Sequence, residues 1–225
     1  MSDSAATIPA DRYRSFAAAR TRARPAVSLV RFASLVIIAV LVVPVGVVAI
    51  GSGTGLIPLP YEMFELARRT PILFPLHMLS SALALLLAPA VILLRRRPEI
   101  HRPLGRALGI FVLIGGLTAL PVAVLSHSTP LARAGFFVQG LVWLYLMIAA
   151  VVAIRAGDVP RHARLMIAMV AVTTGAVWFR LMTGTAIAFQ WPFEPVYALA
   201  AWLGWLLPLA IVTAKPRLFA RAFAS

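Results

Sequence analysis

The chain contains no cysteine. That absence excludes disulfides, Fe–S clusters, thiolate zinc sites, c-type haem attachment and a cysteine nucleophile together. Any metal or haem must be held by the four histidines, the seven carboxylates, the methionines or a tyrosine. Acidic residues are scarce, 7 against 21 basic ones, and charged residues of both signs make up only 12% of the 225 residues. A soluble domain carries about a quarter. A formal net charge of +14 suits a nucleic-acid binder in sign, but the total number of charges is too small for one. Disorder is excluded as well, because 61% of the residues are hydrophobic and the mean hydropathy is +0.93. Residence in a membrane accounts for both the apolar composition and the excess of cations.

Familiar catalytic signatures are missing too. No Walker loop, GxGxxG followed by an acid, HExxH or nucleophile elbow occurs in a suitable context. Gly51-Ser52-Gly53-Thr54-Gly55 has no lysine and no phosphate-binding helix after it, and reads as a flexible turn. No carboxylate falls inside an apolar run, which disfavours a proton pump built on Asp or Glu. No inverted repeat is visible, which disfavours a secondary transporter.

What is present is six apolar runs, each close to the roughly 20 residues that cross a hydrocarbon core. They cover about Ala33–Gly51, Pro71–Leu94, Ala107–Ser126, Gly135–Ile154, Met166–Phe189 and Pro195–Ala214. The expected fold class is therefore all-α, an integral membrane bundle of six transmembrane helices over residues 32–214. A basic arm (residues 1–31) precedes it and a basic tail (residues 215–225) follows. The arm is expected to be retained rather than cleaved as a signal peptide.

The cations orient the bundle. With the N-terminus in the cytoplasm, seventeen of the basic residues fall on cytoplasmic segments. These are six arginines of the arm, Arg95, Arg96, Arg97, Arg102 and Arg106, then Arg155, Arg161 and Arg164, then Lys215, Arg217 and Arg221. Only Arg68, Arg69 and Arg133 are left for the outer side, where Glu62, Glu65 and Glu194 balance them. The positive-inside rule then places both termini in the cytoplasm. Ser52–Thr70 becomes the one sizeable outer loop, with a short interfacial helix expected from about Tyr61 to Arg69. Trp143, Trp191, Trp202 and Trp205 read mainly as interface anchors or bundle packing.

Two ionisable residues lie inside spans, His77 and Arg180, both in the outer half. His77, Ser80, Ser81, Ala84 and Ala88 share one helical face, and Leu83, Leu86 and Leu87 fall opposite, toward lipid. Thr173, Ala176, Arg180 and Thr183 form a second polar stripe. Together with His127 at the outer end of the third run, these suggest an enclosed polar cavity open outward. Three occupancies stay open. A b-type haem could use His77 and His127 as axial ligands with Arg180 on a propionate. A quinone or a small anion could be held by His77 and Arg180. Alternatively, Arg180 is satisfied by backbone carbonyls and His77 by Ser81.

Two short cytoplasmic connections repeat one composition. Arg95-Arg96-Arg97-Pro98-Glu99-Ile100-His101-Arg102-Pro103-Leu104-Gly105-Arg106 and Arg155-Ala156-Gly157-Asp158-Val159-Pro160-Arg161-His162-Ala163-Arg164 each hold Pro, an acid, a His and several Arg. Pro103 suits the first turn of the next helix and Asp158 an N-cap. Arg97, Glu99, Arg102, Arg106, Asp158 and Arg164 read as a belt for anionic lipid phosphates, with the acids accepting from nearby arginines. In a sharper reading, His101 and His162 form a second cytoplasmic-side pair of a two-haem carrier.

The span bearing His77, the His101-Arg102-x-x-Gly105-Arg106 element, Gly157-Asp158 with His162-x-Arg164-x-Met166, and Arg180 in Ala176-Val177-Trp178-Phe179-Arg180 together resemble a bacterial family of predicted multi-pass membrane proteins of unknown function. The resemblance covers roughly Pro71 to Arg180. Leu165 and Ala168 depart from the family pattern, which has an aromatic residue and an arginine near those positions, and the pattern does not require a His at position 127. The resemblance implies a bacterial inner-membrane protein and marks His77, His101, Arg106, His162 and Arg180, without a reaction. Two functional classes follow. One is a haem- or quinone-linked membrane redox protein. The other is a non-catalytic subunit or assembly factor of a larger membrane complex. Neither has nucleic acid as a partner.

Overall fold

The computed structural model describes residue 33 and residues 35–214. The expected arm over 1–31 and tail over 215–225 lie outside the described residues. The chain divides into two compact units, Met1–Val40 and Leu41–Ser225, and all helix packing described below is within the second.

Among the described residues there are helices and turns but no strand. Helix α1 spans Val43–Gly53, α2 Tyr61–Arg69, α3 Leu73–Leu93, α4 Pro98–Leu125 and α5 Pro130–Arg155. Helix α6 spans Val159–Thr173, α7 Gly175–Ala188 and α8 Phe193–Ala214. A short π-helix, Ile38–Val42, precedes α1. It lies just before Pro44, which lacks the N–H that would otherwise bond the Val40 carbonyl. Six segments are long and apolar enough to cross a membrane: Leu35–Gly53, Leu73–Leu93, Pro98–Leu125, Pro130–Arg155, Val159–Ala188 and Phe193–Ala214. The fold class is an all-α bundle of six membrane-length helices.

Residues expected in the two basic connections are mostly helical. Pro98 starts α4 at a position that needs no N–H, and Glu99 sits in its first turn, where a negative charge faces the helix dipole favourably. Pro103 is thus inside α4, not in its first turn as the spacing suggested. The second connection shrinks to Ala156–Asp158. Gly157 has φ +79°, the left-handed conformation that closes α5. The Asp158 N–H reaches back to the Ala153 carbonyl at 2.9 Å. The same Asp158 then caps α6, its Oδ1 accepting the backbone N–H of Arg161 at 3.0 Å. The expected arginine side-chain donor to Asp158 is replaced by this main-chain one. Among the described residues the one salt bridge is Arg68–Glu65, 3.7 Å. Glu99 therefore has no arginine partner there.

Packing follows chain order. Helix α3 lies between α1 and α4, α5 packs on α4 and α6, and α8 closes against α5, α6 and α7. The core joins Ala84, Ala88 and Val91 of α3 to Leu108 and Val112 of α4, Trp143 and Met147 of α5, Met169 and Val172 of α6, and Trp205 of α8. Small residues on α3 face inward as their spacing required. The leucines opposite them do not all face lipid. Leu86 fills the space beside Gly46 of α1, and Leu87 packs on the core. The cause is that α3 has neighbours on both sides. Exposed apolar side chains such as Leu117, Tyr145, Val152 and Leu199 mark the outer surface of the bundle, as expected where lipid replaces water.

Candidate functional site

A cavity of about 260 Å³ opens at the end of the bundle where α4 meets α5 and where α2 lies. His77 of α3, His127 after α4 and Arg180 of α7 all line it. Glu62, Met63 and Leu66 of α2, Ser81 of α3, Gln139 and Trp143 of α5, Thr173 of α6 and Tyr197 of α8 also contribute. Most of the remaining wall is apolar.

Helix α2 has the expected bounds, Tyr61–Arg69, and is two-sided. Leu66 is buried and Met63 half-buried on the cavity side, while Tyr61, Phe64, Arg68 and Arg69 are exposed. Arg68 and Arg69 in its last turn complement its dipole.

His77 is held by a neighbouring main chain. Its Nδ1 lies 2.9 Å from the Gly115 carbonyl oxygen of α4. A carbonyl only accepts, so Nδ1 carries the hydrogen and donates it. Ser81 Oγ lies 3.4 Å from the same nitrogen. Nε2 has no protein partner among the described residues and is the ring nitrogen left for the cavity. This approach needs Gly115. A β-carbon there would stand 2.9 Å from Ser81 Oγ and 3.1 Å from the Trp143 ring.

Arg180 is two turns from the end of the Val159–Ala188 span, about 12 Å at 1.5 Å per residue. Its Nη1 donates to the Ala176 carbonyl at 3.0 Å, its one side-chain hydrogen bond among the described residues. No carboxylate pairs with it there. Arg180 shares the cavity lining with His77, Tyr197 and Glu62. Tyr197 and Phe179 meet edge to face at 5.0 Å, and Phe136 meets Phe179 at 5.3 Å and Tyr197 at 5.9 Å. All three rings line the cavity.

The cavity floor is polar but satisfied. Trp143 Nε1 donates to Thr173 Oγ1 at 2.8 Å, and Thr173 Oγ1 donates to the Met169 carbonyl at 2.9 Å. Gln139 Nε2 donates to the Val172 carbonyl at 3.3 Å. Trp205 is buried in the core, and Trp202 donates to the Leu131 carbonyl. Trp191 is exposed.

His101 and His162 lie elsewhere, at the opposite, hairpin end. Each is the fourth residue of its helix. His101 Nδ1 donates to the Val91 carbonyl at 3.0 Å, and His162 Nδ1 to the Ala150 carbonyl at 2.9 Å. Each therefore ties its helix to the preceding one. Neither histidine lines the cavity that holds His77 and Arg180. Arg97, Glu99, Arg102, Arg106, Asp158 and Arg164 are exposed at the same end. Among the described residues, no group of three or more His, Asp or Glu could hold a metal ion.

Spacing pointed to His77, His127 and Arg180 but not to Gln139, Tyr197, Trp143 or Glu62. Gln139 was the findable one, because an amide within an apolar run is nearly as unusual as a charge. Glu62 counts in the sequence only as an outer-side acid and Tyr197 carries no signal there, so only helix rotation brings them to the cavity.

No curated protein and no solved structure matches the chain. The model of the DUF2306 family, described as a predicted membrane protein, matches residues 74–214. That match takes in nearly all of α3 and every helix after it, with His77, His101, His162 and Arg180 among its residues, and the chain belongs to this membrane-protein family.

Proposed function

We propose that the cavity is a binding site for a membrane-borne molecule of the quinone class, with a single-ring head group bearing oxygen acceptors and an apolar tail. The observation that carries this reading is Arg180, a guanidinium without a carboxylate partner among the described residues, on an apolar-walled cavity shared with His77. A cation removed from water and left unpaired is costly, and an acceptor-rich ligand offsets that cost. In this reading Arg180 donates to one ring oxygen. Nε2 of His77 accepts from a ring hydroxyl in the reduced form. Phe136, Phe179 and Tyr197 offer ring faces to the head group.

The volume favours this class over haem. Small-molecule sites run from about 300 to 1,000 Å³, and this cavity of about 260 Å³ suits one ring better than a tetrapyrrole. The same reading places the protein in a bacterial cytoplasmic membrane with the arginine-rich hairpins inside and the cavity opening outward.

The test is thermal unfolding of purified protein in nanodiscs with and without a short-chain ubiquinone or menaquinone analogue. A rise in midpoint is expected for the wild type and no rise for Arg180→Leu or His77→Ala. An equal rise in Arg180→Leu would overturn the reading. A Soret band in the purified protein would replace quinone with haem as the occupant.

A further inference from the structure

A second concavity lies at the hairpin end, bounded by α5, α6 and α8, with a volume of about 630 Å³. Arg161 and Arg164 of α6 stand at its rim, and Leu146, Leu165, Leu206 and Leu209 form its wall. We propose that this groove binds one anionic phospholipid, its phosphate held by Arg161 and Arg164 and an acyl chain laid along Leu165, Leu206 and Leu209.

Charge and shape both support that occupant. Arg161 and Arg164 are three residues apart on one helix and so lie on the same face, close enough for both to reach one phosphate. Guanidinium groups bind phosphate oxygens in pairs, with more geometric specificity than an ammonium group. Neither guanidinium has a carboxylate partner among the described residues, and no acid lines the groove. Asp158, the nearest acid in the chain, is engaged by the Arg161 backbone N–H. From Arg161 to Ala168, which also lines the groove, α6 advances about 10 Å, so the wall turns apolar within an acyl chain's reach of the rim. Basic pockets between membrane helices hold anionic head groups in this way. The other exposed arginines of this end, Arg96 and Arg102 among them, do not line the groove.

The test compares protein reconstituted in nanodiscs of phosphatidylcholine alone and of phosphatidylcholine with one-third phosphatidylglycerol. Lipid retained after detergent extraction is counted by native mass spectrometry. The wild type is expected to retain phosphatidylglycerol. The occupancy constant should fall roughly fivefold for each arginine removed in Arg161→Gln and Arg164→Gln. Ala210→Trp fills the groove with both charges intact and is expected to lose the lipid as well. Arg96→Gln/Arg102→Gln should retain it. Unchanged midpoints in pure phosphatidylcholine show that the variants fold. Retention by the Arg161→Gln/Arg164→Gln pair, equal loss in the Arg96→Gln/Arg102→Gln pair, or retention in Ala210→Trp each overturns the proposal. Displacement of the lipid by millimolar inorganic phosphate would also overturn it, in favour of a free-phosphate site.

Discussion

At the scale of single residues, the bundle interior depends on polar groups satisfied inside it. Thr173 and Trp143 are both buried, and the threonine hydroxyl is the acceptor for the indole N–H at 2.8 Å. A buried donor that loses its partner bears the desolvation cost of the unpaired group. Thr173→Val keeps the shape and removes the acceptor, so it should lower stability by about 1–3 kcal/mol. A denaturation midpoint and the tryptophan emission of the purified protein check this, and an unchanged midpoint would mean that the indole finds another acceptor. His77 and Arg180 follow a different logic. His77 has one ring nitrogen committed to Gly115, and Arg180 one donor committed to Ala176. Their remaining polar atoms are what the cavity has to offer a ligand. Both residues were legible in the sequence, because a charge or an imidazole inside an apolar run stands out. Which nitrogen of His77 is engaged was not legible, since Gly115 lies 38 residues away.

At the scale of elements, proline, glycine and aspartate set the ends and the close approaches. Gly157 and Asp158 end one helix and start the next within two residues. That compactness explains why a connection that reads as a loop turns out to be mostly helix. Gly115 sets the spacing of α3 and α4. Gly115→Ala should drive Ser81 and the Trp143 ring apart and destabilise the protein by about 1–3 kcal/mol, as overpacking does. It should also weaken any ligand at His77. Gly105, on the same helix, has open space where its β-carbon would stand. Gly105→Ala should therefore be neutral or stabilising by up to about 1 kcal/mol. Thermal midpoints of the two variants in one detergent compare them directly, and equal losses would contradict the packing account. Amphipathic α2 was legible to its end residues. The break at Thr174 between α6 and α7 was not, because apolar composition runs straight through it.

At the scale of the whole molecule, the two ends of the bundle differ in kind. One end carries the cavity, α2 and few cations. The other carries both tight hairpins, the exposed arginines and the second groove. The absence of cysteine makes the orientation directly testable. Leu56→Cys is exposed beside the cavity end, and Arg96→Cys is exposed at the hairpin end. A membrane-impermeant maleimide added to spheroplasts should label Leu56→Cys and spare Arg96→Cys until the membrane is opened. The reverse pattern would invert the orientation and with it the side from which the cavity is reached.

Composition and order along the chain by themselves determined the fold class, the number of spans and the asymmetry of charge. Each depends on a local sum, apolar area per run or cations per connection, that needs no knowledge of neighbours. Tertiary structure alone decided which side chains share a space. Bringing Glu62, Gln139, Tyr197, His77 and Arg180 onto one cavity depends on how each helix is rotated about its axis. Close contacts such as those of Gly115 and Leu86 with adjacent helices set that rotation, and it leaves no periodic trace in any single run.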